Sequence, residues 1–487
     1  MARIELISTP YSGRSVIASG QECVNMYAEI NASLDPQAPS KTTYYPIAGT
    51  KLFADPAFLK KARASYRTSL GTAFYVVGQN VYFLTSIRTL IFIGAIADRQ
   101  SQVYFSDNGL VAVLVDGLNG YVIDLPTNTL GIITDPNFYP ADYVALLDTF
   151  FIFNRAKTNQ FFISGSNVNY ALLTTTGAFD PLDIAAKSGF NDPIVGIVAI
   201  DRELALIGAL TTEIWIGTGA ADFFFQEVQG AYINHGCAAQ YSIATMDVLA
   251  FFIMQDQQGN GIVVQLQGYD VTEISTPRIV AEFKSYADLT DAIGFCFQIE
   301  DHPFYCLVFP TANKGWMYDL STKQWAEWNW LDGNGNLNRP RANCCMFAYG
   351  FNLIGDWENG TLIQLDINTN TDYNPVTPTG PKPWIRTLPH MTDNNDKITY
   401  NSFDADIQIG TIQDGSDPQI SLSWSDNKGV SYGNPIMQSM GKIGDFLATV
   451  SWNRLGQARD RVFKLSSSEP CVTALNGGFV ERRKART

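Results

Sequence analysis

The residues that could do chemistry are few, and their spacing argues for scaffolding. One GxSxG match occurs, Gly429-Val430-Ser431-Tyr432-Gly433. As a nucleophile elbow it would need a strand before the serine, a helix after it and a histidine further along. Asn434-Pro435 follows, which breaks a helix, and the last histidine is His390, upstream of the serine. His235 lies close to Cys237, but Gly236 between them reads as a turn, and nothing supplies an orienting third group. His302, in Glu300-Asp301-His302-Pro303, reads as a hairpin-tip residue. Paired carboxylates could support glycoside hydrolysis. Glu300 with Asp301, and Glu203 with Asp201, are the pairs available, and nothing in the pattern makes either converge. No HExxH, HxH, GxxxxGK[ST] or GxGxxG spacing occurs. The 7 cysteines, Cys23, Cys237, Cys296, Cys306, Cys344, Cys345 and Cys471, form no CxxC and read as reduced thiols. The expectation is therefore no catalytic residue, no metal ligand and no cofactor. The one concentrated charge is Arg482-Arg483-Lys484-Ala485-Arg486. It reads either as a solvated tail or as a contact to a partner protein or DNA through Arg482, Arg483, Lys484 and Arg486.

The elements around these residues are strands. Arg63–Ser69, Thr72–Val77, Asn80–Thr85 and Thr89–Ile96 form one set of four. Ser101–Ser106, Leu110–Val115, Gly120–Asp124 and Thr129–Thr134 form a second, with Asp107-Asn108-Gly109 and Asn119-Gly120 as turn residues. Further sets begin near Asp142, Ile194, Ser242, Ile293 and Ala342, at a mean step of about 46 residues. That is the period of four-stranded propeller blades, whose sheets bury their faces by radial stacking. The predicted fold is all-β: a β-propeller of six or seven irregular four-stranded blades with a C-terminal β-sandwich-like domain. Residues 1–62 are assigned to an N-terminal arm and ring-closing segment, 63–365 to the propeller, 366–382 to a linker and 383–487 to the C-terminal β domain. Helices are expected near Pro277–Tyr286 and near Pro56–Lys61. Ser425-Asp426-Asn427-Lys428-Gly429-Val430-Ser431-Tyr432 is similar to the Asp-box hairpin SxDxGx[ST]W, with Asn for Asp and Tyr for Trp. That similarity accounts for the GxSxG match as a by-product. Gln324–Trp330 reads as a half-buried aromatic strand.

Composition bounds the function. The 487-residue chain carries a formal charge of −14, which disfavours wrapping nucleic acid through its phosphates. Charged residues are 16%, against roughly 25% in an average soluble protein, which suggests surface covered by protein partners. No apolar run approaches the ~18 residues of a membrane span, and no signal peptide is evident.

Four stretches carry a resemblance. Glu22-Cys23-Val24-Asn25-Met26-Tyr27 with Tyr45-Pro46-Ile47-Ala48-Gly49-Thr50 resembles a "VNxY…PGT" opening, with Ile-Ala between the Pro and the Gly. Gly236-Cys237-Ala238-Ala239 leads to Gln267-Gly268-Tyr269 and Ile274-Ser275-Thr276. Asp291-Ala292 leads to Glu300-Asp301-His302-Pro303-Phe304-Tyr305, Phe309-Pro310, Tyr318-Asp319-Leu320 and Trp325, with Asp301 where Gly is usual. Leu422-Ser423-Trp424-Ser425, Met440–Gly444, Trp452–Gly456 and Arg459–Phe463 close the series. In this order they resemble the packaged-DNA stabilisation proteins, or tail hub (nozzle) proteins, of short-tailed bacteriophages. The resemblance implies a structural virion protein, not an enzyme. It would be made in the host cytoplasm and placed in the virion tail. It would form a homo-oligomeric, six-fold ring below the portal-adaptor. It would retain packaged DNA, conduct double-stranded DNA during ejection without binding it tightly, and anchor tailspikes or tail fibres, with a plug or needle protein as a further partner. Retention would then be steric, with Ala156–Asp192 and Trp330–Arg341 as gate or partner loops. The competing expectation is a carbohydrate-binding or glycan-degrading β-propeller, with clustered carboxylates and aromatics in a central pocket.

Overall fold

A computed structural model describes residues 2–4, 21–30, 42–220, 222–255, 259–377, 379–411 and 416–484. Seven four-stranded antiparallel blades follow one another. Their innermost strands are Ala62–Arg67, Tyr104–Asp107, Val144–Leu147, Ile194–Ile200, Ala244–Met246, Ile293–Ile299 and Ala342–Ala348. The hydrophobic residues of each blade meet those of the next. Phe74, Val76 and Val81 of blade one pack with Ala112, Leu114 and Ile123 of blade two. Phe251, Ile253 and Val263 of blade five pack with Tyr305, Leu307 and Trp316 of blade six. This explains why the blade strands read as nearly unbroken apolar runs: both faces of each sheet are buried.

The seventh blade is completed from the other end of the chain. Its first three strands are Ala342–Ala348, Phe351–Asp356 and Leu362–Asp366, and its fourth is Gly49–Ala54, paired antiparallel with Leu362–Asp366. The ring is thereby closed by hydrogen bonds between segments far apart in sequence.

The N-terminal segment does more than close the ring. Cys23–Val24 pairs parallel with the outer strand of blade six, Val24 opposite Glu327, and antiparallel with Trp384–Thr387 of the C-terminal domain. One continuous sheet thus runs from blade six into the sandwich. The hairpin Met26–Ile30/Thr42–Pro46 joins the other sandwich sheet beside Leu475–Lys484, Ile398–Ile407 and Val450–Ala458. A single apolar core links these parts: Phe297, Phe304 and Ile354 of the propeller, Tyr27 and Tyr44 of the N-terminal hairpin, and Trp384, Phe403, Trp452 and Phe463 of the sandwich.

Several sequence expectations are corrected. The helix Pro277–Ser285 forms, capped by the Thr276 side chain, but Pro56–Lys61 does not. Ala57 sits at φ 52°, and its N–H bonds the Asp55 carboxylate at 2.8 Å, making a turn. The segment expected as a loop, Ala156–Asp192, contains the outer blade-three strand Ile184–Ala186 and a one-turn helix Tyr170–Leu173. Its Val168, Leu173, Ala178 and Phe179 enter the core between blades two and three. Trp330–Arg341 holds a small hairpin, Trp330–Leu331/Leu337–Asn338, whose turn is organised by the Asp332 carboxylate. Both segments are therefore packed or hydrogen-bonded structures.

Two positions test the closure. Asn25 is buried at φ 54°; its Nδ2 donates to Pro383 O at 2.8 Å and its Oδ1 accepts from Asn329 N at 2.7 Å. It therefore ties the linker side of the sandwich to blade six. Asn25→Gly keeps the backbone conformation and loses the two bonds, a cost of about 1–3 kcal/mol. Asn25→Ala adds the left-handed penalty of ~1–2 kcal/mol. Denaturant titration should rank wild type above Asn25→Gly above Asn25→Ala; equal stability of the two variants would refute the backbone contribution. A Cβ on Gly49 would lie 2.0 Å from Thr369 O and 2.6 Å from Thr371 O, both backbone. Gly49→Ala should therefore displace the ring-closing strand, read as loss of hydrogen-exchange protection in both Gly49–Ala54 and Leu362–Asp366.

Candidate functional site

The GxSxG segment is a hairpin turn between Gln419–Ser425 and Ile436–Ser439. Asn427 Oδ1 accepts from Ser431 N at 2.9 Å and from Ser425 Oγ at 2.6 Å, and Asn427 Nδ2 donates to Ser431 Oγ at 2.7 Å. Asn427 thus fills the capping place that Asp holds in the Asp box, and the Ser431 hydroxyl is engaged inside the turn. Lys464 Nζ lies 4.7 Å over the half-buried Tyr432 ring.

The other reactive types are equally absorbed. His235 is exposed, and its carbonyl accepts from Thr212 Oγ1 at 2.7 Å. Cys237 is buried, and burial pushes its thiol up to about 12, so no thiolate is present near neutral pH. His302 begins the strand His302–Phe309, so the tip of that hairpin is the residue pair before it. Its Nδ1 meets Asp319 Oδ2 at 2.8 Å, and that bond lifts the imidazole above its ordinary range. The nearby hydroxyl, Thr322 Oγ1, donates to the same carboxylate oxygen at 2.8 Å, so the pair serves no nucleophile. Asp201, Arg202 and Glu300 occupy positive-φ turn positions, and Glu203 accepts the Tyr269 hydroxyl at 2.6 Å. Neither carboxylate pair converges on a common space. Among the described residues, no group of three His, Cys, Asp or Glu is placed to hold a metal ion.

The inner parts of blades one, two, five, six and seven line an open cavity of about 310 Å³. Tyr66, Tyr104, Phe105, Tyr241 and Phe295 line it with Arg63, Gln102 and Asn343. Its lining has aromatics but no carboxylate, so the acid–base pair that glycoside hydrolysis needs is not there. Arg63 is spent on structure. Its Nε donates to Ser101 O at 2.7 Å, and Nη1 donates to Gly78 O at 2.9 Å and Ala97 O at 3.0 Å. Asn343 Nδ2 donates to Ala62 O at 2.7 Å, joining blades seven and one.

The polar groups that do converge sit at the domain junction. Arg386, fully buried, donates to Glu22 O at 3.2 Å and Thr387 O at 2.8 Å and lies 4.8 Å over the Tyr44 ring. Arg278 pairs with Glu327 at 2.6 Å and donates to Gln21 O at 3.2 Å. Deeper in the sandwich, Arg461 forks onto Asp426 at 2.6 and 2.8 Å and stacks 4.5 Å over Tyr400. Arg386 and Arg278 were not singled out from the sequence, and Arg461, Asp426 and Glu327 were noted only as members of motif or strand stretches. Asn25 carried the one available signal, as a residue type that tolerates left-handed backbone inside the quoted opening motif.

The basic cluster is strand through Lys484. Arg482, Arg483 and Lys484 end Leu475–Lys484, opposite Tyr400, Thr399 and Ile398. All three are exposed, and alternation puts Arg483 on the face opposite Arg482 and Lys484. Lys484 Nζ is 2.9 Å from Asp396 and 3.7 Å from Asp393. Arg486 lies outside the described residues.

Comparison with known proteins places this architecture. The family model described as Bacteriophage P22 Gp10, beta-propeller, matches residues 20–370. The model described as Bacteriophage P22 Gp10, beta-sandwich, matches residues 383–483. No curated protein matches the chain. Among solved structures, a streptogramin B lyase is similar at TM-score 0.42 and 8% identity, over 65% of this chain and 96% of that one. The hydrazine synthase of Kuenenia stuttgartiensis is similar at TM-score 0.40 and 8% identity, over 63% and 97%. The extracellular domain of a one-component system from B. thetaiotaomicron is similar at 0.42 and 8%, over 91% and 60%. At these TM-scores the three carry no argument about this chain. Matched in order by both parts of one family, a propeller and then a sandwich, the chain belongs to the bacteriophage P22 Gp10 family of DNA-stabilisation and tail-hub structural proteins.

Proposed function

We propose that the chain forms the ring-shaped hub or nozzle of a phage tail, as a six-fold homo-oligomer below the portal-adaptor. In this reading it retains packaged DNA, conducts it during ejection and anchors tailspikes or tail fibres. A plug or needle protein is a further partner. The observation that carries the reading is the continuous sheet through blade six, Cys23–Val24 and Trp384–Thr387. A subunit that bears load in a ring needs its parts fixed relative to one another, and a shared sheet fixes them with directional backbone bonds. A ring also needs a patch that meets a different patch on the next copy. Arg482 and Arg483 are exposed on opposite faces of a basic strand end in an otherwise acidic chain, so a contact that uses both would wrap that end.

The charge balance supports a conduit. With −14 per chain, few cations are on offer to displace DNA counterions, so duplex DNA should slide without sticking. Retention is then steric. Since Ala156–Asp192 and Trp330–Arg341 are packed structures, they serve this reading better as partner-facing surfaces than as swinging gates.

Imaging of the intact particle tests the whole reading: a ring of this chain beneath the portal-adaptor is expected, and a free monomer that turns over glycans would overturn it. The basic strand is tested separately. Arg482→Glu/Arg483→Glu should leave the melting temperature within about 2 °C, since surface substitutions away from structural features cost within ~0.5 kcal/mol. It should weaken ring or adaptor association by at least about tenfold in low salt, with the difference shrinking as salt rises. Unchanged association would remove these residues from the interface. Tight, salt-sensitive binding of duplex DNA by the wild-type protein would refute the sliding conduit.

A further inference from the structure

His302 is buried where the N-terminal hairpin Met26–Ile30/Thr42–Pro46 rests on blade six. Its ring centroid lies 4.9 Å from that of Tyr27, and Tyr27 in turn meets Phe304 at 5.7 Å. His302 opens the strand His302–Phe309, and Asp319 ends the neighbouring strand Lys314–Asp319. The last backbone pair between those strands is Phe304 with Asp319. Beyond it, three bonds hold the end together. His302 Nδ1 and Asp319 Oδ2 are 2.8 Å apart, Leu320 N donates to Pro303 O at 3.0 Å, and Ser321 Oγ donates to Asp301 O at 3.0 Å. His302 and Asp319 thus clamp two adjacent turns of blade six, and Tyr27 is seated on the clamp.

The groups around the imidazole favour its charged form. The Asp319 carboxylate also accepts from Ser321 N and Thr322 Oγ1, each at 2.8 Å. A carboxylate only accepts, so the proton of the 2.8 Å bond sits on His302 Nδ1. On the hairpin, Glu29 shares a strand face with Tyr27, and Tyr45 lies ring to ring with Tyr27 at 6.0 Å. Glu300 stands in the turn before His302, at φ 51°. Asp301 and Lys323, in the two flanking turns, are exposed. A neutral imidazole can keep the Nδ1 bond, but it loses the charge that strengthens that bond and that attracts the Tyr27 face.

We propose that His302 and Asp319 form a pH-sensitive clamp at the end of blade six, and that loss of the imidazole proton lets this end fray and unseats the N-terminal hairpin while the rest of both domains stays folded.

The direction with pH follows from the geometry. The Asp319 bond, with the charges of Asp319, Glu29 and Glu300, lifts the imidazole above its ordinary 6.5 against the opposing effect of burial. In the frayed end the bond is gone and the ordinary value returns. A base whose closed-state value is raised gives stability that is complete below its open-state value and is lost as pH rises through the closed-state one. The clamp is therefore firmest below about pH 6.5 and weakens above it.

Hydrogen exchange on the full chain, referenced to intrinsic rates, tests this. Between about pH 6 and 8.5, opening at the Leu320 and Ser321 amides and in Met26–Ile30 should rise at least about threefold, while the amides of blades one and two stay level. His302→Asn keeps a donor within reach of Asp319 and carries no charge. It should remove the pH step and hold these amides at the level that the wild type reaches only at high pH. His390→Gln, which alters the histidine bonded to Asp460 in the sandwich, should leave the step in place. The ring titration of His302 in the wild type, followed by NMR, should have its midpoint above 6.5. That readout needs no variant to fold. A midpoint at or below 6.5, an unchanged step in His302→Asn, or a rise spread equally over all blades would overturn the proposal.

Discussion

The structure depends on what happens to one sheet edge. The outer strand of a propeller blade normally ends in unpaired backbone groups, a liability that proteins cover, charge or shorten. On blade six that edge, Gln324–Glu327, is instead paired by Cys23–Val24, whose other side is paired by Trp384–Thr387. A strand of two residues cannot hold two domains by itself. It works here because Asn25, next in the chain, adds a backbone turn with bonds to both sides, and because Arg386 gathers the carbonyl of Glu22. The buried charge of Arg386 is tolerable only because backbone carbonyls and an aromatic face surround it.

This arrangement couples three tasks in one stretch of chain. Cys23–Val24 bridges the domains, Met26–Ile30 and Thr42–Pro46 build sandwich, and Gly49–Ala54 closes the ring. Ring closure and domain docking are therefore not independent events: strain on the sandwich is transmitted along the same backbone that completes blade seven. The linker crosses that backbone at Thr50, whose N–H donates to Thr371 O and whose hydroxyl donates to Asp372, so it too is pinned to the ring-closing strand.

Legibility followed the range of the interaction that decides each feature. Blades one and two were readable because period, apolar runs and Asn-Gly turns are local, and the observed strands overlap the expected ones, running beyond them only at Ala62 and Asp107. Blade three was hard to read because a chain excursion separates its third strand, Gln160–Ile163, from its fourth, Ile184–Ala186. The basic end of the final strand was read as a tail or a contact, because Gly477-Gly478 and the run of basic residues imitate a tail. Pairing with the distant Ile398–Ile407 on one side, and with Ala2–Ile4 and Tyr44 besides, makes Leu475–Lys484 a strand. The junction was illegible for the same reason. A parallel pairing of Val24 with Glu327 leaves no local pattern, and a buried Arg386 looks in sequence like any surface arginine. The GxSxG match was readable as a hairpin because the helix an elbow needs was visibly missing, whereas His302, expected at a hairpin tip, begins a strand.

The low charged fraction takes on a more specific meaning once charges are located. Of the 33 Lys and Arg, Arg63, Lys187, Arg339, Arg341, Arg386 and Arg461 are buried and bound to carbonyls, carboxylates or aromatic faces. Arg341, for example, forks onto Asp356 at 2.7 and 3.0 Å inside blade seven. Cations used this way hold blades and domains in register and are not on offer to phosphates. The surface that DNA would meet is thus poorer in cations than the composition alone suggests. Since nonspecific DNA affinity grows with each phosphate neutralised, burying arginines would, in the proposed conduit, fix the subunit's parts in register and withhold cations from passing DNA at the same time.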